Sequence, residues 1–150
     1  MLSVLPSTVV LGLAALAALH LTLYRSSPSD LGAERARVAR ALALATGIQA
    51  LHFVEEAATG FNDDLGALLG LPSMPFAFFI VFNLAWIGIW IASVFAIRPG
   101  RPFAFFAAWF LAIAGMFNGI AHPLLAFASG GYFPGVVSSP LIAAVSVWLW

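Results

Sequence analysis

The 150-residue chain has 63% hydrophobic residues, 8% charged residues and a mean hydropathy of +1.04, which excludes an ordinary soluble domain and indicates an integral membrane protein. Six arginines balance six acidic residues and lysine is absent, so no basic run is present that could bind nucleic acid. The absence of cysteine excludes disulfides, thiolate metal sites and a cysteine nucleophile.

Five apolar segments predict an all-α polytopic transmembrane bundle of about five spans, forming a single domain over residues 1–150. The last segment would make only ~22 Å of helix against ~30 Å of hydrocarbon. We therefore expect it to be either a short fifth span or a span whose end lies beyond Trp150. The predicted spans are residues 8–24, 38–61, 75–97, 103–128 and 136–150.

The arginines predict the orientation of the chain in the membrane. All of them lie in or beside the first and third connections between spans, at positions 25, 35, 37, 40, 98 and 101. The positive-inside rule assigns these connections to the cytoplasm, so we expect the N-terminus to be outside. Asp63 and Asp64 are then solvated turn residues on the exterior, and His20 is an interface residue near the cytoplasmic end of the first span.

The second span carries the most informative group of polar residues. His52, Glu55 and Glu56 stand at positions i, i+3 and i+4, so their side chains share one helix face. An ionisable side chain near the bilayer centre costs at least ~2.5 kcal/mol, so three on one face indicate a functional site. The structural alternative is a polar cluster that joins helices through hydrogen bonds.

Polar residues of the next two spans reach a similar depth. Helix rise places Asn83, Asn118 and His122 in the outer half of the bilayer, level with the group on the second span. Asn118 and His122 are i and i+4, so they also share a face. We expect all three to line one pocket, whereas the structural alternative is interhelical hydrogen bonding.

The order of these motifs resembles that of the small bacterial membrane proteins named for their His-x-x-Glu-Glu motif. The resemblance covers most of the chain from the second span onward. It implies a small helical protein of the bacterial inner membrane and implies no particular reaction. A weaker likeness, by analogy, is to the emopamil-binding sterol isomerases. The matching residues are His52-Phe53-Val54-Glu55-Glu56, Gly60-Phe61, Asn118, His122 and Tyr132-Phe133-Pro134-Gly135.

One hypothesis for the pocket is a divalent metal site, with zinc or iron as the ion. His52, His122 and one glutamate, assigned here as Glu56, would supply the two imidazoles and one carboxylate of a catalytic zinc centre. The other glutamate, Glu55, would act as a general base, so Glu55 and Glu56 are the predicted catalytic residues. Asn83, Asn118 and Tyr132 are the predicted supporting residues.

A second hypothesis needs no metal, because two adjacent buried glutamates do not readily both ionise and can form an acid and base pair. Either version predicts a membrane enzyme acting on a lipid or isoprenoid substrate. Two other functions fit the same residues. One is an accessory subunit of a larger membrane complex that binds pigment, lipid or partner helices, and the other is a proton-coupled transporter. Membrane lipids are the expected surroundings in every case.

Overall fold

The computed structural model describes residues 2–25 and 32–150, and within those ranges all regular structure is helical. The prediction of an all-α bundle is confirmed to that extent. A 3-10 turn at Leu2–Val4 precedes six α-helices, which are α1 (Leu5–Tyr24), α2 (Gly32–Thr59), α3 (Phe61–Leu69), α4 (Phe76–Ile97), α5 (Pro102–Ser129) and α6 (Ser139–Leu149).

Three of the described helices, α1, α4 and α5, are long and apolar enough to cross a membrane by length and composition. Helix α2 has 28 residues, or ~42 Å of helix. It carries charged residues of the first connection near its start and the group His52, Glu55 and Glu56 near its end. Helix α6 has 11 residues and is ~16 Å long. These lengths are compatible with an integral membrane protein.

Helix α3 occupies a segment that the sequence analysis treated as a connection. Gly60 adopts a left-handed conformation with φ of 88°, which ends α2 at Thr59 and lets α3 begin at once. Asp63 and Asp64, predicted as turn residues, instead lie in the first turn of α3. Their negative charges are favourable there because a helix N-terminus carries a partial positive charge.

Helix α6 begins three residues later than the predicted fifth span. Ser138 is the N-cap residue and a proline lies in the first turn, so residues 130–138 form a connecting loop rather than helix. At the other end of α6, the Trp150 ring packs edge-on against Trp109, with 5.2 Å between ring centroids. Since Trp109 is seven residues into α5, α6 stops ~10 Å short of the level at which α5 begins.

Helix α5 is the centre of the bundle and contacts α1, α4 and α6, while α2 contacts α4 and α6. The closest approach is between α5 and α6, where two glycines replace side chains. A Cβ at Gly115 would lie 2.0 Å from the Ser146 hydroxyl oxygen, and one at Gly119 would lie 2.3 Å from the Ala143 Cβ. These glycines let α6 pack directly on the α5 backbone.

The two ends of the bundle differ in charge. The start of α2 meets the end of α4, where an Arg35 guanidinium nitrogen donates to the Arg98 carbonyl at 3.5 Å. The group His52, Glu55 and Glu56 lies at the other end of α2, because Arg40 and Glu56 are sixteen positions apart, or ~24 Å along the helix. The loop of residues 130–138 covers that second end.

Candidate metal centre

Three ionisable side chains from two helices meet in the interior. His52 and Glu56 lie one turn apart on α2, and His122 comes from α5. One carboxylate oxygen of Glu56, Oε1, is 3.5 Å from His52 Nε2 and 3.4 Å from His122 Nε2. The imidazole centroids are 4.7 Å apart, and the exposed fractions of His52, Glu56 and His122 are 0%, 6% and 3%. The three residues predicted as metal ligands are therefore adjacent and shielded from solvent.

The hydrogen bonds of Ser138 determine which nitrogen of His52 carries a proton. The single hydroxyl proton of Ser138 is donated to Glu55 Oε2. Ser138 Oγ therefore acts as the acceptor in its 2.8 Å contact with His52 Nδ1. His52 thus holds its proton on Nδ1 and, as a neutral imidazole, presents a lone pair on Nε2.

His122 reaches the same state through a backbone acceptor. Its Nδ1 lies 2.7 Å from the carbonyl oxygen of Pro134, which can only accept a hydrogen bond. Nδ1 must therefore carry a proton, so the neutral ring presents its lone pair on Nε2. Metal-bound histidines are held in this way, with the second ring nitrogen donating to a fixed acceptor.

These orientations bring three hydrogen-bond acceptors together. Two imidazole lone pairs and a carboxylate face one another, and the Nε2 to Oε1 separations exceed the usual 2.7–3.2 Å of an N–H···O hydrogen bond. A buried carboxylate needs a compensating partner. Among the described residues its ionic contacts are these two histidines, and a shared proton or a bound cation would compensate its charge.

The spacing of the three ligand atoms suits a metal ion. Ligand atoms bound tetrahedrally at ~2.0–2.1 Å are roughly 3.3–3.4 Å apart. The two Nε2 to Oε1 separations, 3.5 and 3.4 Å, are within a small adjustment of that value. All three ligand atoms lie within 4.8 Å of one another, so this group could hold a metal ion.

Glu55 has a different role from Glu56, although the two are adjacent in sequence. Its Oε1 accepts from the Tyr132 hydroxyl at 2.8 Å and from the Val137 N–H at 3.1 Å. Its Oε2 accepts from both the N–H of Ser138, at 2.8 Å, and the hydroxyl of Ser138. Four donors occupy this carboxylate. These bonds attach Glu55 to the loop of residues 130–138. Its role as a general base stays a prediction.

Tyr132 lies on the exposed side of Glu55. Partial desolvation raises the pKa of its phenol, and the neighbouring Glu55 carboxylate raises that pKa further. The phenol therefore keeps its proton at neutral pH and donates it to Glu55. Within the described residues, the Tyr132 hydroxyl bonds to Glu55 and Thr59, and its supporting role stays a prediction.

The two asparagines predicted as supports behave differently. Asn118 Nδ2 lies 3.3 Å from His52 Nε2, so its amide donates a long hydrogen bond to the lone pair. An ion on that nitrogen would replace this weak contact. Asn83 instead donates to the Phe79 carbonyl of its own helix at 2.9 Å. Within the described residues, Asn83 does not join the hydrogen bonds of the cluster.

Apolar groups and one glycine close the space around the imidazoles. Phe61 packs against His122 with a centroid separation of 5.6 Å, and Phe133 lies 6.2 Å from the same ring. Gly135, with φ of 88°, lies so close that a Cβ would be 2.5 Å from His122 Cε1 and 2.8 Å from His52 Cε1. Only glycine fits at that position.

Sequence reasoning missed the residues of the loop that orient the ligands. Ser138 and the Pro134 carbonyl bond to the two imidazoles, yet Pro134 lies in the predicted last connection and Ser138 in the predicted fifth span. One signal was available, because Ser138-Ser139-Pro140 is typical of a helix start at Ser139. That boundary would have left Ser138 free to act as a side-chain partner. Nothing in the sequence indicates the carbonyl contact.

No family model, curated protein or solved structure matches this chain. The resemblance to the His-x-x-Glu-Glu membrane proteins and the analogy to sterol isomerases stay predictions. Function is therefore inferred from the geometry of the cluster.

Proposed function

We propose that the protein is a membrane-embedded enzyme that binds a divalent metal ion, zinc or iron, through His52, Glu56 and His122 and acts on a lipidic substrate. The observation that carries this proposal is the direction of the two imidazoles. Each donates its Nδ1 proton to a fixed acceptor and turns its Nε2 lone pair towards the same oxygen of Glu56. Such orientation is what metal ligation requires.

The number of ligands favours catalysis over a structural role. Structural zinc sites have four protein ligands, whereas catalytic sites have three and an open position. In the described part of the chain the cluster contains three candidate donors, and Glu55 is occupied by the loop. Two imidazoles and one carboxylate also form the ligand set of non-haem iron enzymes.

The residues of the site would divide the work of catalysis. His52, Glu56 and His122 would hold the ion, which would supply Lewis acidity. Ser138 and the Pro134 carbonyl keep both imidazoles in the tautomer that binds. Asn118, with its amide near the same centre, is placed to hydrogen-bond a substrate oxygen.

The surroundings indicate what kind of substrate could reach the centre. Phe61 and Phe133 pack against His122, so the side chains next to the centre on that side are apolar and aromatic. Apolar pocket walls with a few directed polar groups are typical of small-molecule sites. A lipid or isoprenoid with one polar or unsaturated reacting group meets both conditions.

The same proposal includes a position in the membrane. We place the protein in a bacterial inner membrane with the arginines of the α2 start and the α4 end in the cytoplasm and the N-terminus outside. The metal centre then lies near the outer surface. Five helices, α1, α2, α4, α5 and α6, would be embedded, with α6 reaching only part of the way across.

A metal-free acid and base site is the second candidate, and one observation favours it. The three convergent acceptors can also be satisfied by a single proton shared between Glu56 and an imidazole. Such a proton could be delivered to a lipid double bond. Metal content separates the two candidates.

The test is to purify the protein in detergent and measure zinc and iron by mass spectrometry, before and after reconstitution with each ion. We expect about one ion per chain in the wild type and little in His122→Ala or Glu56→Gln, because each variant removes a ligand. His20→Ala is the matched control, since His20 is an exposed histidine on α1 that contacts Tyr24. Wild-type protein that binds no ion would overturn the metal proposal.

Activity is tested by incubating the metal-loaded protein with a bacterial lipid extract and following lipid masses over time. We expect the wild type and His20→Ala to convert a lipid species that Glu56→Gln leaves unchanged. Helical content, measured by circular dichroism, shows whether each variant is folded. Metal-loaded, folded protein that converts no lipid would overturn the enzymatic part of the proposal.

A further inference from the structure

A second feature lies at the opposite end of α2, away from the metal centre. A groove of about 230 Å³ runs between α2 and α4. Its wall is apolar apart from two arginines, one from each helix. The lining residues are Ala39, Arg40, Ala43, Val94, Phe95 and Arg98.

The polar and apolar parts of this groove are arranged in layers. Arg40 is the ninth residue of α2, nearer to its start than to its end, and Arg98 directly follows α4. Ala43 and Phe95 are three residues further from the start of α2 and the end of α4, respectively, or ~4.5 Å deeper. The guanidinium groups therefore belong at the mouth of the groove, and the apolar wall continues below them towards the centre of the bundle.

Among the described residues, arginines outnumber acidic residues at this end of the bundle. Five arginines lie at the start of α2 and in the turn between α4 and α5, whereas Glu34 is the one acidic residue there among those described. Neither Arg40 nor Arg98 forms an ion pair with a carboxylate anywhere in the described ranges. Both are exposed, so their guanidinium groups are available to an anion.

The apolar wall of the groove indicates what the anionic group is attached to. Phe95 is 75% exposed, although it is a large aromatic residue beside the two charges. A small inorganic anion would leave this ring uncovered. A glycerophospholipid would place its phosphate on the guanidinium groups and its acyl chain on Phe95 and Ala43.

We propose that the groove between α2 and α4 is a binding site for an anionic glycerophospholipid, with Arg40 and Arg98 holding the headgroup phosphate and Phe95 packing against an acyl chain. Zwitterionic lipids carry a cationic group beside the phosphate, which the arginine-rich end repels. The site therefore selects lipids with net negative charge. It depends on the membrane location and is independent of the metal centre.

The test uses the full chain in detergent with an equimolar mixture of phosphatidylglycerol and phosphatidylcholine of identical acyl chains, analysed by native mass spectrometry. We expect the wild type to retain phosphatidylglycerol selectively. The double variant Arg40→Gln/Arg98→Gln should bind it roughly 30-fold more weakly, about fivefold for each arginine. Its helical content should be unchanged, because both side chains are exposed.

The control is Arg25→Gln/Arg101→Gln, which removes the same charge from arginines that do not line the groove. This variant should keep the selectivity of the wild type. Equal losses in both double variants would overturn the proposal, because they would show general charge attraction. Displacement of phosphatidylglycerol by millimolar inorganic phosphate would also overturn it, since the site would then recognise the free anion.

Discussion

Ser138 links the loop to the metal centre through one oxygen atom. It donates to Glu55 and accepts from His52 Nδ1, so it sets both the position of the loop and the tautomer of the imidazole. Glu55 and His52 lie on adjacent turns of one helix, yet both bond to a residue more than eighty positions away in the sequence. The half-buried side chain of Ser138 therefore connects two residues of α2 that do not bond to each other.

Replacing Ser138 with alanine tests this link. We expect Ser138→Ala to weaken zinc binding by roughly 10- to 100-fold, since partners of the second imidazole nitrogen typically contribute that much. The measurement is zinc affinity by competition with a chromophoric chelator. Ser129→Ala is the control, because its hydroxyl donates to the Ala126 carbonyl at the end of α5. Unchanged affinity in Ser138→Ala would show that His52 does not need this acceptor.

At the residue scale, much of the centre followed from position along the helices. His52, Glu56 and His122 were predicted to meet because helix rise gave them a common depth, and they do lie together. Depth does not determine the rotation of a helix about its axis, which is why Asn83 was assigned to the pocket but bonds to its own helix. Backbone acceptors such as the Pro134 carbonyl have no sequence signature at all.

At the scale of elements, the packing of α6 on α5 sets the position of the loop. Gly119 faces Ala143 and Gly115 faces Ser146, so the two helices approach without intervening side chains. The loop that carries Pro134, Gly135 and Ser138 joins these two helices. Any separation of α5 and α6 would therefore move the partners of both imidazoles.

Gly119→Ala tests this dependence. The new Cβ would lie 2.3 Å from the Ala143 Cβ, so the helices must separate, and we expect the loss of about 1–3 kcal/mol that overpacking typically causes. Thermal unfolding in detergent measures the change. Gly88→Ala on α4 is the control, because nothing lies within 4 Å of its added Cβ. Equal melting temperatures for the two variants would contradict the close packing.

The helix boundaries were only partly predictable, because the same residues can favour two different local structures. The Asn62-Asp63-Asp64 group is compatible with an irregular turn and also with the first turn of a helix. The positive φ of Gly60 ends α2 just before this group, which favours the start of a new helix. The start of α6 was misplaced because Val136 and Val137 continue an apolar run, whereas Ser138 and Pro140 mark the actual start.

At the scale of the whole molecule, the two proposed sites lie at opposite ends of α2. One end bears exposed arginines and the groove, and the other bears the buried centre and its covering loop. Composition alone predicted a helical membrane protein, because so large an apolar fraction exceeds what a soluble core can bury. The distribution of arginine predicted the orientation, which stays a prediction.

Orientation is measurable because the natural sequence contains no cysteine. We expect Asp64→Cys, on the exposed face of α3, to react with a membrane-impermeant maleimide in intact spheroplasts. Arg101→Cys should react only after lysis, because the positive-inside rule places it in the cytoplasm. The opposite pattern of labelling would invert the proposed topology and place the metal centre on the cytoplasmic side.

The loop between α5 and α6 also has a consequence for the order of biogenesis. The residues that would bind the ion are complete once α5 has been synthesised, but the acceptors that hold the imidazoles come from residues 134–138. A nascent chain that ends before them would have freely rotating histidines and a Glu55 carboxylate without its donors. We therefore expect ion loading to follow synthesis of residues 134–138, so that the centre matures only after α5 is complete.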